Sequence, residues 1–214
     1  KHPDLYEFLQ QANVSDLKSK SFYGLSLVLG GAEISMHELV GLYATLANQG
    51  EWRPIIFTKN QKHVVGKRLL SPEASFLVYD ILTETARPKG ALTMTRHQEI
   101  PIAWKTGTSS GYRDAWTIGI IGPYVLAVWI GNFNNDSNPA FIGKTATAPL
   151  FFDIANALVA QPGSFPQIYT RPERFNLTKI EVCKASGMLP NHSCPDIEPT
   201  WFIPGKSPIK IDNV

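Results

Sequence analysis

The sequence predicts an α+β fold in which helices cover an antiparallel sheet. Three apolar, strand-like segments follow one another between residues 100 and 131, joined by short turns rich in glycine and polar residues. Short connections between successive strands favour an antiparallel meander. Stretches with helical spacing precede and follow the meander, and an irregular, proline-rich tail closes the chain. The predicted architecture is therefore a helix-covered sheet with a small, loop-rich C-terminal appendage.

The composition is that of a folded domain and excludes several classes of function. Of 214 residues, 43% are hydrophobic and 11% aromatic, and the net charge is only +2, which excludes disorder as the main state. The 20 basic residues are nearly balanced by 18 acidic ones, so we expect no nucleic-acid partner. No run approaches the roughly 18 apolar residues of a membrane-spanning helix. The chain opens at Lys1 rather than at a methionine, and we expect it to be part of a longer protein.

Three helices and one short amphipathic stretch are predicted from apolar spacing and capping residues. A short amphipathic stretch covers Asp4 to Gln11. Residues 36–48 follow a serine and a glutamate in capping-box spacing. Residues 72–86 follow a serine N-cap and have proline in the first turn. Residues 147–158 come after the sheet and can cover one of its faces.

The predicted strands alternate with short turns in the second half of the chain. An apolar run from Ile100 to Trp104 leads into a polar end, and residues 114–121 and 124–131 form the next two strands. In the tail, residues 178–183 form one further short strand. These segments define the sheet on which any site must be built.

The tail contains both cysteines of the chain. We assign residues 1–162 to the main domain and residues 163–214 to the appendage. No metal site is expected at Cys183 and Cys194, because there is no second cysteine pair and His192 alone does not complete a tetrahedral set. A disulfide between them fits better and implies an oxidising compartment; two reduced thiols are the alternative.

The strongest candidate for chemistry is the run Lys105-Thr106-Gly107-Thr108 at the end of an apolar strand. On a pleated strand the two threonines share a face, and both hydroxyls can meet one anionic group. The glycine lets a ligand backbone lie close to the strand, and an edge strand of this kind binds an extended peptide through its main chain. Strict alternation puts the lysine side chain on the opposite face. It can therefore reach the same anionic group as the threonines only through strand twist or a cleft at the sheet edge. The alternative is an ordinary polar strand end.

The residues around this run resemble one family over nearly the whole chain. The blocks that carry the resemblance are Trp104 to Ser109, Tyr112 to Trp116 with Gly119, Val128 to Gly131, Leu29 to Ala32 with the capped helix behind it, the Ser71-Pro72 helix, and the tail from Val182 through Cys194 to Gly205. The first five resemble the transpeptidase domain of class A penicillin-binding proteins. The tail is similar to the segment that follows this domain in the 1C-type members.

The resemblance implies a penicillin-binding transpeptidase or serine β-lactamase-like fold, here incomplete. It implies a serine acyltransferase that cross-links peptidoglycan stem peptides, is acylated by β-lactams and needs no cofactor. By the family pattern, Lys105, Thr106, Gly107 and Thr108 bind the substrate carboxylate, and the Thr108 N–H is the second oxyanion donor. The implied location is extracytoplasmic. The membrane anchor and a glycosyltransferase then belong to the N-terminal part of the parent protein, which would also be a partner of this chain.

The nucleophile that the resemblance requires is missing. The family places a Ser-x-x-Lys motif and then Ser-x-Asn before Lys-Thr-Gly. Ser15 and Lys18 match the first pattern in a polar stretch, but no Ser-x-Asn follows before Lys105. Ser207 and Lys210 match it after Lys-Thr-Gly, which is the wrong order. We therefore expect the nucleophile upstream of this chain, and we expect the chain alone to form no acyl-enzyme.

Two other functions are compatible with the same fold. The first alternative is a non-catalytic binding or scaffold module that keeps the sheet. The second is a serine β-lactamase. The 114–116 block and the cysteine-containing tail disfavour it, because they resemble only the class A penicillin-binding proteins. The sequence preceding Lys1 distinguishes enzyme from scaffold.

Overall fold

A three-stranded antiparallel sheet forms the centre of the computed structural model, which describes residues 3–62, 64–88, 91, 100–161 and 175–211. Its strands are β3 (Ile102–Thr108), β4 (Asp114–Ile121) and β5 (Tyr124–Gly131), in the order β3-β4-β5. The predicted meander is confirmed, and β4 and β5 have the predicted bounds. The other elements are α1 (Leu5–Gln11), α2 (Lys20–Tyr23) with the 3-10 helix Gly24–Leu29, α3 (Met36–Ala47), the short pair β1 (Glu51–Trp52) and β2 (Lys67–Arg68), α4 (Pro72–Thr83), the π-helical turn Gly143–Thr147, α5 (Ala148–Val159), β6 (Thr178–Cys183) and β7 (Ile197–Phe202).

One face of the sheet is covered by α5. Phe151 and Phe152 of this helix are fully buried, and both rings contact Trp104 of β3, with centroids 6.4 and 4.9 Å away. The remaining buried members of this cluster are Ile100, Ile102, Ile121, Val128, Ala148, Ala155 and Val159. Aromatic side chains bury the largest apolar areas in a core, so this cluster fixes the first half of β3 against α5.

The opposite face of the sheet is covered by α4 and α3. Tyr79 of α4 packs against Ala103 of β3 and Ile120 of β4, and these three side chains are buried. Helix α4 begins as predicted, with Ser71 Oγ accepting the amide hydrogen of Ala74. It ends at Thr83 rather than at residue 86, and the carbonyl of Thr85 just beyond its end accepts a hydrogen bond from the Trp104 indole.

Helix α3 has the predicted capping box. The amide of Ser35 donates to the carboxylate of Glu38 at 2.9 Å, which satisfies one backbone donor at the start of the helix. The helix ends before Gly50, whose amide donates to the Thr45 carbonyl at a φ of +88°. This left-handed conformation favours glycine.

The tail contains a second, two-stranded sheet, β6 with β7. Strand β6 was predicted, but β7, which contains Pro199 at its centre, lies in the part of the tail that was expected to be dominated by loops. The sheet tolerates this proline because β7 has a neighbour on one side only among the described residues. A disulfide joins Cys183 to Cys194. Phe76 of α4 contacts Trp201 of β7 at 5.3 Å between ring centroids.

The division at residues 162 and 163 lies outside the described residues, and the domain bounds remain a prediction. No helix in the described part of the chain is long and apolar enough to cross a membrane.

Candidate acyl-donor site

The second half of β3 leaves the core and becomes exposed. Ile102, Ala103 and Trp104 are buried, whereas Lys105, Gly107 and Thr108 are exposed and Thr106 is half-buried. The change occurs because α5 and α4 cover only the first half of the strand. The predicted Lys-Thr-Gly run therefore lies at the surface.

The exposed end of β3 presents backbone groups at the edge of the sheet that have no strand partner among the described residues. The Ser109 amide donates to the Asp114 carbonyl at 3.0 Å, so these two residues form a hydrogen-bonded pair of the ladder. In an antiparallel ladder such pairs alternate, and with this register Gly107 bonds to Trp116 of β4. The N–H and C=O of Thr106 and Thr108 consequently point away from β4. No strand among the described residues pairs with that edge.

The Lys105 ammonium reaches the same edge. Its side chain starts on the face opposite to the threonines, as alternation predicts, but Nζ donates to the Thr106 carbonyl at 2.7 Å. Because that carbonyl points to the open edge, the positive charge lies beside the threonine backbone groups. The Lys105 ammonium thus reaches the backbone of Thr106, although its side chain starts on the opposite face of the strand.

The two threonine side chains meet the π-helical turn. The Gly143 amide donates to Thr108 Oγ1 at 3.0 Å. A Cβ at Gly143 would lie 3.0 Å from the Thr106 Cβ and 2.6 Å from the Gly107 carbonyl oxygen, so the backbone of this turn lies directly against β3. Because Thr108 Oγ1 accepts this hydrogen bond, its own hydrogen is left to donate to an external acceptor.

Gly107 is not required by the packing of the chain itself. A Cβ at this position would meet the Trp116 Cβ at 3.5 Å, an ordinary contact, and the backbone φ is not positive. At Gly119, in contrast, a Cβ would lie 2.8 Å from the Ala103 carbonyl oxygen. The missing side chain at Gly107 leaves this exposed position of β3 open on the face where Lys105 starts.

The turn after β3 is held by residues next to the site. Ser109 Oγ accepts the Asp114 amide hydrogen at 2.8 Å, and the Asp114 carboxylate accepts a hydrogen bond from the Trp129 indole at 2.9 Å. No role was predicted for Ser109 or Gly143. Ser109 bonds to Asp114 across the local turn, whereas the role of Gly143 depends on a contact with Thr108, which is distant in the chain.

Ser15 and Lys18 do not form a nucleophile pair in this structure. The Ser15 hydroxyl and amide both donate to the Glu38 carboxylate, at 2.7 and 2.6 Å, and the Lys18 ammonium pairs with Glu33 at 3.1 Å. Burial by itself raises the pKa of Glu38, but hydrogen bonds from Ser35 and Ser15 outweigh it and lower the pKa to about 2. A carboxylate with so low a pKa is a poor general base near neutral pH.

The second Ser-x-x-Lys match also has a structural role in the tail. Ser207 Oγ accepts the amide hydrogen of Ile203 at 3.0 Å and closes the turn that follows β7. Nor do the described residues contain a group of three or more histidine, cysteine, aspartate and glutamate side chains able to hold a metal ion.

A helix-covered antiparallel sheet with an exposed Lys-Thr-Gly edge is the arrangement of a penicillin-recognising transpeptidase fold. The family model "Penicillin binding protein transpeptidase domain" matches residues 9–154, and the model "Penicillin-binding protein 1A, C-terminal domain" matches residues 175–214. The chain belongs to the penicillin-binding protein transpeptidase family.

Individual relatives agree with this assignment. The chain is 29% identical over 187 residues to penicillin-binding protein 1C of Escherichia coli (strain K12), covering 86% of this chain and 24% of that protein. It is 29% identical over 152 residues to penicillin-binding protein 1A of Clostridium perfringens (strain ATCC 13124), covering 68% of this chain and 18% of that protein. The chain thus spans about a quarter or less of the length of these curated relatives.

A solved structure shows the same fold. The crystal structure of penicillin-binding protein 1A from Haemophilus influenzae superposes with a TM-score of 0.69 at 20% identity, over 96% of this chain and 37% of that one.

Proposed function

We propose that this chain forms the substrate-carboxylate side of a D-Ala-D-Ala transpeptidase that cross-links peptidoglycan stem peptides by serine acyl transfer. The observation that carries the proposal is the exposed end of β3, where the Lys105 ammonium and the Thr106 and Thr108 backbone groups lie along one open edge. Family membership supports the same chemistry.

In this proposal the acyl donor binds extended along the open edge of β3. Main-chain hydrogen bonds to Thr106 and Thr108 hold the peptide as an added strand. The terminal carboxylate accepts hydrogen bonds from the threonine hydroxyls beside the Lys105 ammonium, since hydrogen bonds to a charged acceptor are the stronger ones. The Thr108 N–H, directed to the open edge, is the second donor of the oxyanion hole.

We further propose that the serine nucleophile is supplied by a part of the protein outside these 214 residues. The hydroxyl of Ser15 is bound by Glu38, and Ser207 closes a turn in the tail. The isolated chain is then inactive, and the partners of this site are the nucleophile-bearing part of the same protein, the stem peptide and β-lactams.

The proposed location is the extracytoplasmic face of the membrane, with the anchor and a glycosyltransferase in the remainder of the parent protein. The Cys183–Cys194 disulfide supports this location because such bonds persist in oxidising compartments. The main domain and the tail appendage are proposed to divide near residue 162.

The test is covalent labelling of the full-length protein by a fluorescent penicillin. We expect the wild type to be labelled and Lys105→Ala to be acylated about 100-fold more slowly, the loss expected for about 3 kcal/mol of carboxylate binding. Lys206→Ala, which removes an exposed lysine in the tail, is the matched control and should react at the wild-type rate. A folded full-length protein that is not labelled would contradict the transpeptidase proposal and favour the scaffold alternative.

A further inference from the structure

A row of hydrogen-bonded groups, made of threonine hydroxyls and the backbone of one glycine, lies behind the exposed end of β3 and ends on Thr108. Thr117 of β4 and Thr147 of the π-helical turn are both 0% exposed, and their Oγ1 atoms are 2.7 Å apart. Thr147 Oγ1 donates to the Gly143 carbonyl at 3.0 Å, and the Gly143 amide donates to Thr108 Oγ1 at 3.0 Å. The row therefore connects the interior of the sheet to the candidate site.

The direction of each hydrogen bond in this row follows from the number of available hydrogens. A threonine hydroxyl has one hydrogen, and that of Thr147 is used on the Gly143 carbonyl. Either hydroxyl can donate in the contact between Thr117 and Thr147, and with the Thr147 hydrogen on Gly143 the donor is Thr117. At the other end Thr108 accepts from Gly143, which leaves the Thr108 hydrogen for a group outside the chain.

The backbone of Gly143 lies so close to β3 that a side chain at this position has no room. A Cβ there would lie 2.6 Å from the Gly107 carbonyl oxygen and 2.7 Å from that of Trp116, so only glycine brings the amide this close to β3. Local π-helical turns occur frequently at functional sites. Here the turn brings the Gly143 N–H to the site, and the Gly143 C=O accepts hydrogen bonds from the Ala148 N–H and from the buried Thr147 hydroxyl.

We propose that Thr147, supported by Thr117, is a positioning residue for acyl-donor recognition: through Gly143 it orients the Thr108 hydroxyl so that its hydrogen faces the substrate carboxylate. This inference rests on the proposed function and deepens it. Neither threonine touches the substrate. Their effect is to hold a neutral donor in one orientation before the ligand arrives, which lowers the entropic cost of binding.

The first test is Thr147→Val in the full-length protein, which removes the hydroxyl and keeps the branched shape. Acylation by a fluorescent penicillin is measured over a range of concentrations, so that the half-saturating concentration and the limiting rate are obtained separately. We expect the half-saturating concentration to rise about five- to ten-fold and the limiting rate to change by no more than about two-fold. Thr147→Ser keeps the hydroxyl and should restore the wild-type value.

Thr45 provides a matched control for the loss of a buried hydroxyl. Thr45 Oγ1 donates to the Gly41 carbonyl at 2.9 Å, four residues back in a helix, and the side chain is 1% exposed. The bond from Thr147 to Gly143 also spans four residues. Thr45→Val should therefore cost similar thermal stability while leaving the half-saturating concentration unchanged.

A double-mutant cycle with Thr108→Val tests the route of the effect. If Thr147 acts through the Thr108 hydroxyl, Thr147→Val adds no further rise in the half-saturating concentration once that hydroxyl is absent. Thr117→Val removes the donor to Thr147 and should also raise the half-saturating concentration. It replaces Thr147→Val in the test if that variant does not fold.

The possible outcomes separate the two proposals. If penicillin labels the wild type but Thr147→Val has the wild-type half-saturating concentration, the positioning role alone is overturned. The same holds if Thr45→Val raises that concentration as much as Thr147→Val does. An equal effect of Thr147→Val with and without the Thr108 hydroxyl overturns it as well. A wild type that penicillin does not label overturns the transpeptidase function and this inference together.

Discussion

The exposed end of β3 and the segment around Ser15 both contain hydroxyl groups and a lysine, but the groups that these side chains bind differ. Near Ser15 the partners are carboxylates: the Ser15 hydroxyl binds Glu38 and the Lys18 ammonium pairs with Glu33. At β3 the Thr108 hydroxyl is held by a backbone amide, and the Lys105 ammonium is held by a backbone carbonyl. Backbone groups position these side chains without neutralising them.

The two lysines differ in the charge of the group they bind. A lysine paired with a carboxylate has much of its positive potential cancelled, whereas a lysine on a carbonyl keeps its full charge. No carboxylate in the described part of the chain forms an ion pair with Lys105. This difference supports the proposal that the exposed end of β3 binds an anion, while the Ser15 hydroxyl is bonded to Glu38.

The largest expected effect is that of Gly107→Ala on acylation. The added methyl fits the folded chain, 3.5 Å from the Trp116 Cβ, so the free energy of unfolding should change by less than about 1 kcal/mol. It would occupy the space proposed for the ligand backbone, and displacement of the acyl donor should slow penicillin acylation about 100-fold.

Gly119→Ala is the matched control for that substitution. Its Cβ would lie 2.8 Å from the Phe151 Cζ and from the Ala103 carbonyl oxygen, so it should cost about 1–3 kcal/mol of stability. Wild-type acylation by a stable Gly107→Ala protein would show that no ligand approaches β3 at this point.

A smaller effect is expected for Ser15→Ala. The substitution removes the hydroxyl hydrogen bond to Glu38 but keeps the one from the amide, and it should lower the free energy of unfolding by about 1 kcal/mol. Penicillin acylation of the full-length protein should be unchanged. Loss of labelling with retained folding would instead identify Ser15 as the nucleophile and reverse the comparison.

The smallest effect concerns the pH dependence of stability at Glu38. Its pKa in the folded protein is about 2, below the ordinary value of 4.5, so its stabilising contribution is complete above pH 4.5 and is lost as the pH falls towards 2. Solvent screening limits this contribution to about 1 kcal/mol. Urea unfolding followed from pH 6 to pH 2 should show that loss in the wild type and not in Glu38→Gln; parallel curves would argue against the Ser15–Glu38 bonds.

The central sheet was predictable from sequence because its signal is local. Strands β4, β5 and β6 have the predicted bounds, since each is a short apolar run between turn residues. Helix α3 was predictable from its capping box, and it ends within one residue of the expected position. The surface position of the 105–108 run follows from polar residues at the end of an apolar strand.

The hydrogen bonds behind the exposed end of β3 were not predictable, because they join residues far apart in the chain. Gly143 lies 35 positions from Thr108, and nothing in its own neighbourhood marks it as a neighbour of β3. The pairing of Thr117 with Thr147 likewise joins residues 30 positions apart. Strand β7 was missed for a different reason: it has a proline at its centre, a residue that strands seldom contain, and so carries a weak local strand signal.

The most direct test of the carboxylate site is a crystal structure of the full-length protein acylated by a penicillin. We expect the penicillin carboxylate to lie about 3 Å from the hydroxyl oxygens of Thr106 and Thr108, near the Lys105 ammonium, with the acyl oxygen on the Thr108 N–H. A carboxylate bound elsewhere, with the exposed edge of β3 unoccupied, would contradict this assignment.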